Sequence, residues 1–223
     1  MKRVVIPELL DSDSGTPAEI AASLSDLRRI NQWFGGVATT QSMVQYVAEK
    51  VGARSFSLLE VAGGAGDVPQ AVRERLKRSG VQVQVSLLDR ATSHLRNRNN
   101  GTHAVTGDAL ALPFANASFD LVSCCLFAHH LAPEEVVRFV DEGLRVCRSA
   151  VLINDLVRHP AHLALVYGGW PLYRSRLTQH DAPASVRGAY TLDEMRDVLR
   201  QTRARGVMAG RRFLFRMGVV VWK

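Results

Sequence analysis

The chain has 223 residues, 47% of them hydrophobic and 22% charged, and this length suits one α/β domain with a large core. Its formal net charge of +7 favours an anionic partner, but the basic residues are dispersed with few aromatic residues among them, which disfavours a nucleic-acid groove. No run reaches the roughly 18 apolar residues of a membrane span, and the start of the chain lacks a signal-peptide core, so we expect a cytoplasmic protein without membrane contact.

The first 55 residues predict a helical lid that belongs to the same domain as the rest of the chain. About fifteen residues rich in Ser, Asp and Gly come first and predict a loosely held terminus. A helix is predicted after the N-cap Thr16, with Pro17 at its first position and Glu19 completing a capping box. A second predicted helix ends at Gly52.

Residues 56–223 alternate between strand-like and helix-like segments, which is typical of a doubly wound parallel sheet. The predicted strands are FSLLEVA, VQVQVSLLD, HAVTGD, SFDLVSCCLF and SAVLINDL, and the helices between them are DVPQAVRERLKRSG, ATSHLRNRNN and PEEVVRFVDEGLRVC. After a last helix that begins at Thr191, RGVMAG and RRFLFRMGVVVWK predict two closing strands joined by a short glycine-containing turn. The predicted fold is therefore α/β, with a doubly wound, mostly parallel seven-stranded sheet, a C-terminal antiparallel hairpin and N-terminal helices.

The first strand of this region runs into a glycine cluster and then into a helix, in the segment EVAGGAGD. A loop of this kind often holds a nucleotide. No Lys or Ser follows the glycines, and no glycine completes a G-x-G-x-x-G pattern, so a P-loop and a dinucleotide site are both disfavoured. Asp89 ends the next strand about twenty residues further on, where an acid can accept hydrogen bonds from ribose hydroxyls. Its alternative role is to cap the following helix.

Three segments, EVAGGAGD, SLLDR and GDALALPFANASFDLV, resemble the class I S-adenosylmethionine-dependent methyltransferases in order and spacing. The resemblance is strongest to small-molecule enzymes related to ubiquinone and menaquinone biosynthesis. Ala62 stands where the family usually has its first glycine, at little cost if the backbone there is not left-handed. The resemblance implies S-adenosylmethionine as the cofactor, with Glu60 at its amino-acid end and Asp108 at its adenine amino group. The implied cofactor-binding residues are Arg29, Glu60, Ala62, Gly63, Gly64, Gly66, Asp89, Arg90, Asp108, Ala109, Leu110, Cys125 and Leu126.

Methyl transfer needs an acceptor held in line with the sulfonium methyl group, and a phenolic acceptor also needs a base. His129, His130 and Asp155 are the candidate catalytic residues, because they follow the ends of two central strands, where ligands bind in such folds. An imidazole with an unperturbed pKa near 6.5 suits proton abstraction, and His129 lies nearer the strand end. The alternative is that the histidines pack beneath the cofactor. Asp155 is expected to position a hydroxyl or to pair with Arg158 or His159, and no convincing third ligand near it indicates a metal.

Aromatic and polar side chains before the last helix, together with the N-terminal Trp33, predict the wall of the acceptor pocket. These residues are Trp33, Tyr167, Trp170, His180 and Arg187. Packing into the core or into a possible homodimer interface is the alternative. The resemblance implies a small aromatic acceptor, such as a phenol, a quinone or a polyketide-like ring, methylated on oxygen. Methylation of a ring carbon, RNA methylation and a non-catalytic cofactor-binding role remain open alternatives.

Overall fold

The computed structural model describes residues 1–12, 14–95 and 102–223. Its helices are α1 (Pro17–Trp33), α2 (Gly36–Val51), α3 (Asp67–Arg78), α4 (Thr92–Leu95), α5 (Pro133–Val146), α6 (Pro160–Gly168), α7 (Arg176–Gly188) and α8 (Leu192–Leu199). Its strands are β1 (Ser55–Val61), β2 (Gln82–Asp89), β3 (His103–Thr106), β4 (Phe119–Cys125), β5 (Cys147–Leu156), β6 (Gly206–Arg212) and β7 (Arg216–Trp222). Short 3-10 turns lie at Ala128–His130 and Trp170–Leu172. The last part of the predicted ATSHLRNRNN helix lies outside the described residues.

The seven strands form one sheet in the order β3-β2-β1-β4-β5-β7-β6. The first five strands pair in parallel, whereas β7 is antiparallel to both β5 and β6. The predicted fold class is thereby confirmed. From β1, the strands that follow in the chain extend to one side of the sheet as β2 and β3, whereas β4 and β5 lie on the other side of β1. Ligands of open parallel sheets bind at the carboxyl ends of the two strands where the order switches in this way.

The hairpin that closes the sheet is confirmed, but the predicted glycine-containing turn is wrong. Gly210 lies inside β6 and pairs with Gly218 of β7, and the chain reverses four residues later, around Leu214. Leu214 adopts a φ of 47°, a left-handed conformation that costs a leucine more than a glycine.

Helices pack on both faces of the sheet, so the central strands are apolar on both sides. On one face, Phe139 of α5 packs with Leu59 and Val122 in a buried cluster. On the other face, Met43 of α2 and Leu76 of α3 belong to a second cluster that includes alternate residues of the same strands. No helix of the described residues is long and apolar enough to cross a membrane.

The start of α1 and the end of α2 follow the sequence predictions. The Thr16 hydroxyl accepts a hydrogen bond from the Glu19 backbone N–H, and the Glu19 carboxylate accepts one from the Thr16 N–H at 2.8 Å. Gly52 ends α2 with a φ of 66°. Both helix ends are therefore determined by residues next to them in the chain.

The N-terminal strap, residues 1–12, is not loosely held, and this corrects the sequence prediction. The backbone N–H groups of Leu9 and Leu10 donate to the Asp181 carboxylate of α7 at 2.8 and 3.0 Å. The Arg3 guanidinium donates to three backbone carbonyls, two of them in the segment that follows β4. These charge-assisted hydrogen bonds hold the strap against the carboxyl edge of the sheet.

Candidate functional site

A cavity of about 1650 Å³ opens at the carboxyl ends of β1 and β4. Its walls come from the loop after β1, the segment after β4, α1 and the strap. A pocket for one small molecule usually measures roughly 300–1000 Å³. The cavity therefore has room for a nucleotide-sized ligand and a second small molecule side by side.

Twelve of the thirteen predicted cofactor-binding residues border this cavity, and Gly66 is the exception. Gly66 has a φ of 78° and precedes α3, and a Cβ there would lie 2.9 Å from a Leu87 methyl carbon. A side chain at this position would collide with β2. Gly66 therefore shapes the loop without bordering the cavity.

Ala62 carries a strain that the sequence prediction did not expect. Its φ is 54°, so the backbone is left-handed here. The low cost of an alanine at this position was predicted for a backbone that is not left-handed. A left-handed conformation costs an L-residue with a side chain roughly 1–2 kcal/mol. The departure from the glycine motif is therefore destabilising, and that prediction was wrong.

Glu60 lies at the end of β1 with 2% of its surface exposed, and it borders the cavity. Burial raises the pKa of its carboxyl to about 7, although a hydrogen bond from the Ser123 hydroxyl of β4 acts in the opposite direction. A cationic group of a ligand placed next to this carboxyl would favour its ionised form.

The Asp89 carboxylate accepts two backbone hydrogen bonds, and its contact with ribose hydroxyls stays a prediction. One carboxylate oxygen accepts from the Ala91 N–H at 2.9 Å, at the start of the segment that leads into α4. The other accepts from the Gly64 N–H at 2.8 Å and so ties β2 to the glycine loop. The residue borders the cavity and is otherwise buried.

Arg29 and Trp33 of α1 border the cavity from the lid side. The Arg29 guanidinium donates to the Asp26 carboxylate at 2.8 Å and to the Leu172 carbonyl at 3.0 Å. Its Nε is buried without a hydrogen-bond partner among the residues that the structure describes. Arg29 is thus anchored in place while one donor remains available.

His129 is held between two carboxylates. Its Nδ1 lies 2.7 Å from Asp155 Oδ1, and its backbone N–H donates to Asp155 Oδ2 at 2.9 Å. Its Nε2 lies 3.4 Å from Glu8 Oε1 of the strap. Burial alone would lower the pKa of the imidazole, but the two carboxylates outweigh it and raise the pKa to about 10. The unperturbed value near 6.5 that the sequence argument assumed is therefore wrong.

Asp155 lies behind His129 and does not border the cavity. Burial would raise the pKa of its carboxyl, but the His129 imidazole holds it below its usual range. The expected pairing with Arg158 does not occur, because Arg158 binds Glu194 at 2.5 Å. Asp155 consequently acts on the site only through the ring that it orients.

His130 follows in the same 3-10 turn and borders the cavity. Its Nδ1 lies 3.0 Å from Asp11 Oδ2, and the two imidazole centroids are 4.1 Å apart. Sequence reasoning missed Glu8 and Asp11 because the strap was expected to be loose. The available signal was the ELLD segment, which carries two carboxylates three residues apart in an otherwise apolar stretch.

The predicted acceptor wall is divided between two places. Trp33 borders the main cavity, whereas the other predicted wall residues border a separate, shallower depression that includes Ile6 of the strap. Those residues are Tyr167, Trp170, His180 and Arg187. The structure therefore brings only one of the five predicted wall residues to the cavity that holds the glycine loop.

The comparisons with known proteins agree with this geometry. Residues 58–150 match the methyltransferase domain family. The ubiquinone/menaquinone biosynthesis C-methyltransferase UbiE of Roseobacter denitrificans is 32% identical over 118 residues. That match covers 48% of this chain and 43% of the relative, so the chain matches less than half the length of its curated relative.

Solved structures share the fold at low sequence identity. The plantazolicin methyltransferase BpumL, in complex with a triazolic desmethylPZN analog and SAH, has a TM-score of 0.73 at 12% identity and covers 97% of this chain and 95% of its own. A putative O-methyltransferase from Nostoc punctiforme has a TM-score of 0.57 at 13% identity, covering 88% of this chain and 60% of that one. Residues 58–150 therefore match a methyltransferase domain and resemble UbiE over part of the chain, and the whole chain has the fold of solved methyltransferases.

Proposed function

We propose that this chain transfers the methyl group of S-adenosylmethionine to an oxygen of a small aromatic acceptor, such as a phenol, a quinone or a polyketide-like ring. The observation that carries the proposal is one continuous cavity that joins the glycine loop of β1 to His129 after β4. Its volume of about 1650 Å³ accommodates cofactor and acceptor together, as direct transfer between two bound molecules requires.

The cofactor lies over the β1 and β4 strand ends in this proposal. Its ammonium group meets Glu60, whose buried carboxyl gains a counter-charge, and its ribose hydroxyls meet Asp89. Asp108 and Leu110 border the cavity beyond Asp89, where the adenine is placed. This arrangement points the sulfonium methyl group toward the segment after β4.

The acceptor hydroxyl is placed at His129 Nε2. Asp155 occupies the other ring nitrogen, so the ring is fixed with Nε2 toward the strap and the cavity wall. Among the described residues, nothing forms a hydrogen bond with this buried nitrogen. Because the pKa of about 10 keeps the ring protonated, Nε2 would donate to an acceptor bound as its phenolate, whose own proton has left to solvent. The phenolate oxygen would then be oriented for in-line attack on the methyl group, with the neutral thioether of the cofactor as the leaving group. Asp155 is then a positioning residue, and His129 is the residue that contacts the acceptor.

Carbon methylation is the second candidate, because the curated relative is named a C-methyltransferase. Both reactions use an acceptor whose hydroxyl is held and polarised in the same way. They differ in which atom of the ring faces the sulfonium methyl group. The position of the methyl group in the product therefore distinguishes them.

The direct test is a methyl-transfer screen over phenols, quinones and resorcinols, with mass spectrometry to locate the methyl group. We expect an O-methylated product, together with loss of turnover in His129→Asn and retention of cofactor binding in that variant. A methyl group on a ring carbon would favour the second candidate. Tight cofactor binding without turnover of any aromatic acceptor would refute the proposed acceptor class.

A further inference from the structure

Three side chains from two distant segments meet at the acceptor end of the cavity. Glu8 of the strap, His129 and His130 each offer one ligand atom, and these atoms all lie within 4.8 Å of one another. We propose that they form a binding site for a divalent metal ion such as zinc. The sequence predicted no metal site, because Glu8 is far from the histidines in the chain.

The arrangement around His129 is that of a metal-binding imidazole. Its Nδ1 contacts the Asp155 carboxylate at 2.7 Å, and a carboxylate on one ring nitrogen is the usual outer partner of a metal-ligating histidine. The residue is only 4% exposed, and within the described part of the chain its Nε2 has no hydrogen-bond partner. The Glu8 oxygen 3.4 Å away is too distant for a strong hydrogen bond with this nitrogen, and an ion between the two atoms would satisfy both.

The distance to Glu8 fits a shared ion better than a direct hydrogen bond. Oε1 of Glu8 lies 3.4 Å from His129 Nε2, and no hydrogen bond joins them. Two ligands at about 2.1 Å from a tetrahedral zinc ion lie about 3.4 Å apart. The Ser185 hydroxyl of α7 donates to the same Glu8 oxygen at 2.5 Å and so fixes the carboxylate in this position.

His130 repeats the pattern of its neighbour. Its Nδ1 lies 3.0 Å from Asp11 Oδ2, so each imidazole of the cluster has its own carboxylate partner. With Glu8, three carboxylates surround two imidazoles, and of these five side chains only Asp11 is more than half exposed. Such an excess of negative groups favours a cation between them.

Three protein ligands leave a fourth tetrahedral position open, which is the pattern of catalytic rather than structural zinc sites. All three ligands border the cavity, so the open position is accessible to a small molecule. If the proposed function is right, the acceptor oxygen would bind the ion at this open position in place of a direct contact with His129 Nε2, and its hydroxyl would ionise more readily, since a zinc ion lowers the pKa of an oxygen that it binds. Metal binding itself does not depend on that function.

The test is metal retention by the full chain. The purified protein is loaded with Zn²⁺, desalted and analysed for metal content, and its affinity for Zn²⁺ is measured by calorimetry. We expect about one ion per chain in the wild type, and at least a tenfold loss of affinity in Glu8→Ala and in His130→Ala. Asp11→Asn, which changes only an outer partner, is expected to weaken binding by about 10–100-fold. His103→Ala serves as the control, because His103 is exposed on β3 away from the cluster.

Cobalt loading separates this site from the cysteines. Cys124, Cys125 and Cys147 are free thiols, and a Co²⁺ ion bound to thiolate would show an intense charge-transfer band that the Glu–His–His site lacks. No retained metal, retention that survives in both ligand variants, or a thiolate band would each overturn the proposal. Since no acceptor is needed, failure of this test is distinguishable from failure of the proposed methyl transfer.

Discussion

Glu60→Gln is predicted to stabilise the cofactor-free chain above neutral pH. The pKa of this carboxyl is raised from 4.5 to about 7 by burial, so between these pH values the unfolded chain carries a charge that the folded chain does not. The folded state therefore binds more protons, and the free energy of unfolding falls by about 1.4 kcal/mol per pH unit as the pH rises. The loss amounts to about 3 kcal/mol by pH 7 and stays constant above it.

Glutamine removes the charge at nearly constant shape, and its carbonyl can still accept the Ser123 hydrogen bond. We expect the variant to equal the wild type near pH 4.5 and to exceed its stability by up to about 3 kcal/mol at pH 8. Urea denaturation of both proteins from pH 4.5 to 8 measures the difference, in which contributions from all other groups cancel. The same substitution should weaken binding of S-adenosylmethionine, because the ligand ammonium loses its counter-charge.

Glu142→Gln is the matched control. Its hydrogen bonds with Arg145 hold the pKa of Glu142 below its usual range, so here the ionised form stabilises the folded state. The stabilisation is present above the unfolded pKa and is lost as the pH falls, and the substitution should therefore destabilise the chain at pH 8. A Glu60→Gln variant that is less stable at pH 8, or equally stabilised at every pH, would refute the assignment of a neutral, buried Glu60.

Three further predictions concern the loop, the cofactor and the strap. Ala62→Gly should stabilise the chain by roughly 0.5–1 kcal/mol in urea denaturation, because relief of the left-handed strain exceeds the entropy cost of glycine. The control is Ala65→Gly, which should not stabilise the chain because Ala65 is not left-handed. Asp89→Ala should weaken S-adenosylmethionine binding by about 1–3 kcal/mol in calorimetry, and an unchanged affinity would exclude a contact with the ribose. Asp181→Ala removes the acceptor of two strap N–H groups, so hydrogen exchange in residues 1–12 should accelerate; unchanged exchange would show that other contacts hold the strap.

The features that could be predicted from the sequence are those determined by neighbouring residues. The capping box of Thr16 and Glu19 operates within one helical turn, and the glycine loop follows directly from the strand that contains Glu60. Asp89 could be placed because parallel strands end at one edge of the sheet. The apolar runs of β4 and β5 indicated a central position, which the sheet order confirms.

The features that escaped prediction depend on contacts between distant segments. Nothing near Asp181 indicates that its carboxylate accepts hydrogen bonds from the strap, and nothing near His129 indicates Glu8. Tyr167 lies on α6 and Trp170 in the 3-10 turn after it, but which side of this segment meets the cavity depends on tertiary packing, and both residues border the separate depression. The φ of Ala62 likewise reflects the path of the whole loop and not the residue itself.

The charges around His129 link the position of the strap to the state of the site. Asp155 comes from β5 and Glu8 from the strap, so the imidazole has carboxylates on both sides only while the strap is docked. Buried carboxylates facing each other are costly unless a cation lies between them, whether that cation is a proton on the ring or a bound metal ion. A ligand that supplies this positive charge binds more tightly when the strap is docked. By thermodynamic linkage, binding of that ligand stabilises the docked strap by the same free energy. The strap is therefore a structural component of the acceptor end of the cavity, which explains why a segment without regular secondary structure is tied down by Asp181 and Arg3.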